Sequence, residues 1–445
     1  MELLLHVAPL LVRPGRLILL PFACLLPHSI PFAHRIGMVS LVPIVLARYG
    51  SISPLISAFT PILLLNTKRH SIRLALLTAA KLWTAASPFQ AAAIAVFEIS
   101  TWNFFALLGP LDAAMLTQLV SFFGEIFMTN FLDNRLSHEA WFNASVALLG
   151  VFLTWSYSAW TEKKSLLGPV VSLVFLVFYS IIPGCLWIIS IPGSLKALCT
   201  WFAIICVAIP SILHLCKGSE VSVTRKYFHF LLVGLLGPGL ILKNQHALIS
   251  SASFGVVAVF LILEKNKPIA VKRLFSKFLD QKSETAFVFS HVALLIGCLL
   301  PVWLQRSGQP TVENTGNFSL EALLLGVISA PSLEPGARLF HRVSESHALE
   351  ISRFFSGFVL VGIADSFAAI AGVKSRGMKM PGSQRSIQGL VGFILSALAS
   401  FSIVSLLNGY GCDEIPVGRV LAVALLEVYT MNLDNLLLPV YFLAL

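Results

Sequence analysis

Apolar runs near 20 residues recur along almost the whole chain. That recurrence constrains the fold more than any motif, because a helix needs about 20 apolar residues to cross the hydrocarbon of a bilayer. Such runs stand at 17–32, 36–48, 51–65, 72–100, 103–128, 141–160, 165–190, 195–215, 227–242, 246–264, 287–304, 355–372, 387–407 and 417–445. The residues are 57% hydrophobic and 12% charged, with a mean hydropathy of +0.85, and no single soluble core hides that much apolar surface. The expected fold class is therefore all-α, a polytopic transmembrane helical bundle of roughly 13–15 spans, because only helices and closed barrels satisfy their own backbone in lipid. The run 72–100 has room for two pieces, and 36–48 is short for a crossing.

Several functional classes drop out at this level. The opening stretch "MELLLHVAPLLVRPGR" begins with an acid and carries its arginines after the apolar residues, the reverse of a cleaved signal peptide. Cys24, Cys185, Cys199, Cys206, Cys216, Cys298 and Cys412 show no CxxC or Cys/His spacing, so neither a zinc site nor a disulfide framework is expected. The net charge of +10 suits cytosolic loops beside anionic lipid headgroups, and no nucleic-acid partner is expected. Residues 1–220 form a multi-span hydrophobic region with little chemistry beyond the intramembrane acids Glu98, Asp112 and Glu125. The chemistry gathers in 221–445.

Within "VTRKYFHFLLVGLLGPG", residues 223–239, Arg225 and Lys226 stand at the mouth of an apolar helix with His229 about one turn inside. They read either as a positive-inside anchor or as cations facing phosphate near the headgroup plane. Residues 265–286 carry Lys265, Lys267, Lys272, Arg273, Lys277 and Lys282, with apolar residues at helical spacing, as in an amphipathic helix lying in a cytosolic interface. That places 305–354, with its sequon at Asn317–Ser319, on the opposite side of the membrane. The helix over 355–372 then returns the chain to the cytosol, provided the twelve-residue run 319–330 does not cross.

The next stretch is "GIADSFAAIAGVKSRGMKMPGSQRSIQG", residues 362–389. Asp365 sits inside an apolar run and leads into a loop with Lys374, Arg376, Lys379 and Arg385, no acid, and glycines at 372, 377, 382 and 389. Cations, the hydroxyls of Ser383 and Ser386 and closely approaching backbone at Pro381, Gly382 and Gly389 suit a polyphosphate, although the loop is not a Walker A sequence. Glu427 and Asp434 in "LLEVYTMNLDNLLLP" are seven apart, which on one helix projects both from nearly the same face. They are either neutralised by basic residues of neighbouring helices or, with Asp365, hold Mg²⁺ or another divalent cation against phosphate. Cationic loop, buried acids and membrane together suggest phosphoryl transfer involving a lipid.

The segments "TRKYFHFLL", "SHVALLIGCLLPVWL" (290–304), "ADSFAAIAGVKSRGMKMPGSQRSIQG" and "LLEVYTMNLDNLLLP" resemble, in order, those of the dolichol kinase family, CTP-dependent polyprenol kinases of the endoplasmic reticulum. The resemblance covers about residues 223–445. It implies transfer of the CTP γ-phosphate to dolichol, giving dolichyl phosphate for protein glycosylation, in a multi-pass membrane protein whose site faces the cytosol. Taken together with the reading of the residues, it points to Asp365, Glu427 and Asp434 as the catalytic and metal-binding acids, Asp365 first among them. Lys379, Pro381, Gly382, Ser383, Arg385, Ser386, Gly389, Arg225, Lys226 and His229 become the nucleotide-binding set. The loop departs from the family's usual PGTKKTxEG, with Gln384 for a lysine and Gln388 for the glutamate, and Ala364 replaces the usual glycine before the aspartate. The rival readings are a CTP-dependent phytol or diacylglycerol kinase, a cytidylyltransferase, a transporter and a catalytically silent scaffold.

Overall fold

The computed structural model describes residues 1–12, 14–49, 54–67, 69–82, 88–105, 109–132, 193–215, 221–241, 248–249, 253, 256, 289–307, 347–375, 378–410, 415–430 and 434–445. The expected all-α class holds: the described residues are helices and turns, and their single β-type pairing is an isolated bridge between Lys379 and Ser386. Among the described residues, three helical stretches are long and apolar enough to cross a membrane, Ser194–Ile212, Leu349–Val373 and Ile387–Leu407. The runs 141–160 and 165–190, the basic segment 265–286 and the sequon at Asn317 lie outside the described residues. The chain divides into two units: residues 1–134, 301–354 and 414–445 form one, and 135–300 with 355–413 form the other.

The first unit is organised around Phe32–Tyr49, which packs against Glu2–Leu11, Pro54–Asn66, Pro110–Leu132 and Asp434–Ala444. This central helix buries Ile36, Met38, Val39, Leu41, Val42, Ile44, Val45 and Leu46, so it is apolar nearly all round, the signature of a helix enclosed by others. Proline opens Pro54–Asn66, Pro88–Phe105 and Pro110–Leu132, where its missing N–H costs no helical bond. Polar groups fasten the first helices to the last. The Arg16 guanidinium donates to the Pro9 and Ala444 carbonyls at 3.0 and 2.9 Å, and the Tyr441 hydroxyl donates to the Leu5 carbonyl at 2.9 Å. Deeper in the unit, Lys81 Nζ lies 2.8 Å from Glu98 Oε1, both side chains essentially unexposed, and the Ser121 hydroxyl donates to the same oxygen.

Four expectations for the helices need correction. The run 17–32 is not one helix but a 3₁₀ turn, Pro14–Leu19, and a short helix, Leu20–Cys24, because Pro21, Pro27 and Pro31 remove backbone donors at short intervals. The run 72–100 is the two pieces it had room for, His70–Lys81 and Pro88–Phe105, but the boundary placed at 103 falls between Phe105 and Pro110. Helix begins at His347 rather than 355. The run 417–445 breaks into Val417–Tyr429 and Asp434–Ala444, with Thr430 extended at φ −85°, ψ 142°.

In the second unit, Val221–Ile241 packs against Ser194–Leu215 and against the part of a continuous helical rod that lies beyond Phe355. The rod runs from His347–Gly357 through a π-helical segment, Phe358–Ala364, into Asp365–Ser375. Ile387–Leu407 packs along Asp365–Ser375 and the π-helical segment.

Candidate functional site

Lys226, His229 and Val233 recur at i, i+3 and i+7, so they share one face of Val221–Ile241. That face meets the π-helical segment. A Cβ on Gly362 would collide with Val233, and one on Gly357 would collide with the carbonyl oxygens of Gly297 and Cys298, so both glycines permit backbone approaches that no side chain allows. The rings of Phe230 and Phe367 meet edge to face at 5.3 Å. A π-helical turn holds an extra residue and re-aims the side chains beyond it, and here Asp365 is the first of these.

Asp365 is 1% exposed, and its Oδ2 is ion-paired with Lys226 Nζ. His229 Nδ1 lies 3.9 Å from that oxygen and 3.3 Å from the Val361 carbonyl. Oδ1 has no hydrogen-bond partner among the described residues. A buried carboxylate needs a counter-charge, and Lys226 supplies one while leaving half of the carboxylate unsatisfied.

Two turns along the same helix, about 10 Å from Asp365 at 1.5 Å per residue, Gly372 approaches Ser386 at the far side of the basic loop. Met380, Pro381, Gly382 and Ser383 form a type II turn: the Ser383 N–H donates to the Met380 carbonyl at 3.0 Å, and Gly382 takes φ +73°, which its position demands. Flanking bonds from Met380 N–H to the Arg385 carbonyl and from Ile387 N–H to the Met378 carbonyl, each 2.9 Å, make the loop a compact hairpin. Lys379, Pro381, Gly382 and Gln384 are exposed at its tip, and Ser383, Arg385 and Ser386 are half-buried. Ser386 caps Ile387–Leu407 by accepting from the Gly389 N–H at 3.1 Å.

The expected nucleotide set is thus split by its local roles. Gly382 serves the turn. Gly389 is buried, a Cβ there would stand 3.1 Å from the Ala368 carbonyl oxygen, and Gly392 similarly admits Ala371, so these glycines draw two helices together. Arg225 is half-buried one position before Lys226. The Lys374 side chain, Arg376 and Gly377 lie outside the described residues. Gln388, where the resemblance led one to expect a glutamate, is exposed on the first turn of Ile387–Leu407.

Glu427 and Asp434 do not share a helix as expected. Glu427 is buried on Val417–Tyr429, the helix ends before Thr430, and Asp434 opens the next one. The sequence "TMNLDN" explains the break, since threonine, asparagine and aspartate offer the backbone side-chain partners outside the helix. Both acids belong to the first unit and Asp365 to the second. Among the described residues, no three His, Cys, Asp or Glu side chains gather where one metal ion would bind. Sequence reasoning missed the Lys226–Asp365 pair and the π-helical segment. The available signal for the first was an intramembrane acid and a lysine at a helix mouth with no partner in their own segments; the second left none, since Phe358–Ala364 is equally apolar in either geometry.

With this geometry in hand, comparison with curated proteins gives a consistent answer. The chain is 29% identical to bovine dolichol kinase over 241 residues, 52% of this chain and 38% of the bovine one. It is 26% identical to mouse dolichol kinase over 355 residues, 76% of this chain and 59% of that one, and 26% identical to an Arabidopsis thaliana dolichol kinase over 280 residues. The chain is similar to dolichol kinases. It spans 38% to 59% of the length of the bovine and mouse relatives. No family model and no solved structure matches it.

Proposed function

We propose that this chain is a CTP-dependent dolichol kinase of the endoplasmic reticulum membrane, its site facing the cytosol and its product, dolichyl phosphate, serving protein glycosylation. The observation that carries the reading is the pairing, on one membrane-embedded helix, of a buried carboxylate, one of whose oxygens is unpartnered among the described residues, with a cationic turn two helical turns away. Similarity to dolichol kinases supports the prenol as acceptor.

Lys379 and Arg385 supply charge to the nucleotide phosphates, and the hydroxyls of Ser383 and Ser386, which accept backbone N–H bonds, still have a hydrogen to donate. Arg225 adds a further cation. The prenol hydroxyl reaches Asp365 from the bilayer. Asp365 takes the proton as the prenol oxygen bonds to the γ-phosphorus, and the bond from that phosphorus to the β–γ bridging oxygen breaks, releasing CDP. Burial of Asp365 keeps water from competing as acceptor. Positioning and charge neutralisation account for most of the rate in such transfers.

A divalent cation fits the donor set. Oδ1 of Asp365 is a hard anionic oxygen without a partner among the described residues, and Mg²⁺ is commonly held by one or two carboxylates together with substrate phosphates and water. Asp365 would hold it together with the substrate phosphates, and when bound it would neutralise charge on them.

The test is phosphate transfer by the purified protein in lipid, with dolichol, Mg²⁺ and γ-labelled CTP or ATP, beside Asp365→Asn. Label entering dolichol from CTP alone, and only with Asp365 intact, is the expected result. Absence of transfer from either nucleotide by folded protein overturns the proposal.

A further inference from the structure

We infer that Lys226 is a positioning residue for Asp365 rather than a phosphate ligand: it fixes Oδ2 and thereby makes Oδ1 the oxygen offered to substrate. What Oδ1 then does rests on the kinase reading above; the pairing itself rests on geometry alone.

The groups facing Asp365 from each packed element are few. Val221–Ile241 contributes Lys226, bonded to Oδ2, and His229, 3.9 Å from the same oxygen. The helix Phe289–Ser307 contributes the buried thiol of Cys298, whose sulfur lies 3.9 Å from where a Cβ on Gly362 would sit. Ile387–Leu407 carries no titratable residue. Lys226 is therefore the one permanent cation on this carboxylate among the described residues. Its side chain is only 14% exposed and its ammonium is already engaged. His229 completes the arrangement by approaching the Val361 carbonyl in the π-helical segment, so both residues anchor the segment that aims Asp365. A carboxylate with two equivalent oxygens turns about its last bond; one whose Oδ2 is held by a lysine presents its other oxygen in a fixed direction. Arg225, the next cation, lies about 100° around the helix from Lys226.

The experiment combines turnover with unfolding in detergent micelles for Lys226→Met, Lys226→Arg, Asp365→Asn and the double variant Lys226→Met/Asp365→Asn. A positioning role predicts that Lys226→Met lowers kcat by about a hundredfold and leaves the KM for CTP within about twofold. Lys226→Arg, which keeps the charge, recovers part of that kcat. Lys379→Ala in the loop should do the reverse, raising KM with a smaller loss of kcat. Removing the lysine strands a buried carboxylate, so Lys226→Met should lower the unfolding temperature and the double variant should regain much of the loss. A rise in the KM for CTP on Lys226→Met matching that of Lys379→Ala, with kcat retained, overturns the positioning role. Additive unfolding shifts overturn the pairing whatever the turnover shows. Coupled unfolding shifts in a folded protein that transfers no phosphate would instead overturn the kinase reading and leave the pair standing.

Discussion

Replacing Gly357 by alanine tests whether the rod carrying Asp365 is seated as closely as its backbone indicates. A Cβ at this position meets the carbonyl oxygens of Gly297 and Cys298, and backbone atoms cannot swing aside as a side-chain tip can. Alanine brings about 1 kcal/mol of helix propensity over glycine. Overpacking costs about 1–3 kcal/mol even where side chains can adjust, and rigid neighbours place this site at the upper end. The expected net effect is destabilisation by about 1–2 kcal/mol, relieved in part by lifting the rod from Phe289–Ser307. Asp365 lies eight residues farther along, about 12 Å on a helical rise, so a lift near 1 Å would carry to the carboxylate and lower kcat/KM by about a hundredfold. Gly234→Ala is the control, since nothing lies within 4 Å of its added methyl and it should gain up to about 1 kcal/mol. Unfolding in mixed micelles and dolichol phosphorylation report the two effects. A Gly357→Ala protein as stable and as active as the parent would refute the close seating.

Lys81→Met alone should destabilise the first unit by about 3–5 kcal/mol, because Glu98 would be left charged and unpaired in the interior, whereas Lys81→Met/Glu98→Gln should unfold close to the parent; equal losses in single and double variants would contradict this. Gly382→Ala should cost about 1–2 kcal/mol of turn stability and, on the proposed kinase reading, raise the KM for CTP, and Gly382→Asn should be milder because asparagine tolerates a positive φ. A KM unchanged by either substitution would separate the turn from nucleotide binding.

Legibility in the sequence depended on how local the determining physics was. Ile387–Leu407 and Ser194–Leu215 lie within a residue or so of the apolar runs that announced them, because an uninterrupted apolar stretch in lipid has no alternative to helix. Residues 17–32 misled for the opposite reason: hydropathy sees the leucines, while Pro21, Pro27 and Pro31 set the backbone. Asp365 and its loop stood out as anomalies in an oily chain. The partner of Asp365 did not, since Lys226 is 139 positions away and nothing local couples them. Nor does composition separate the π-helical segment from α-helix, for Phe358–Ala364 is equally apolar in either geometry.

The interleaving of the two units along the chain also sets an order of assembly. The Tyr441 hydroxyl that closes onto the Leu5 carbonyl is translated 436 positions after it, roughly 20–90 s later at cellular synthesis rates of about 5–20 residues per second. Throughout that interval Phe32–Tyr49 waits in the membrane without the helix that covers one of its faces. Lys81 and Glu98, 17 positions apart, can neutralise each other almost as soon as they emerge. Residues 355–413 arrive before 414–445, so the nested unit can finish while the enclosing one is still open.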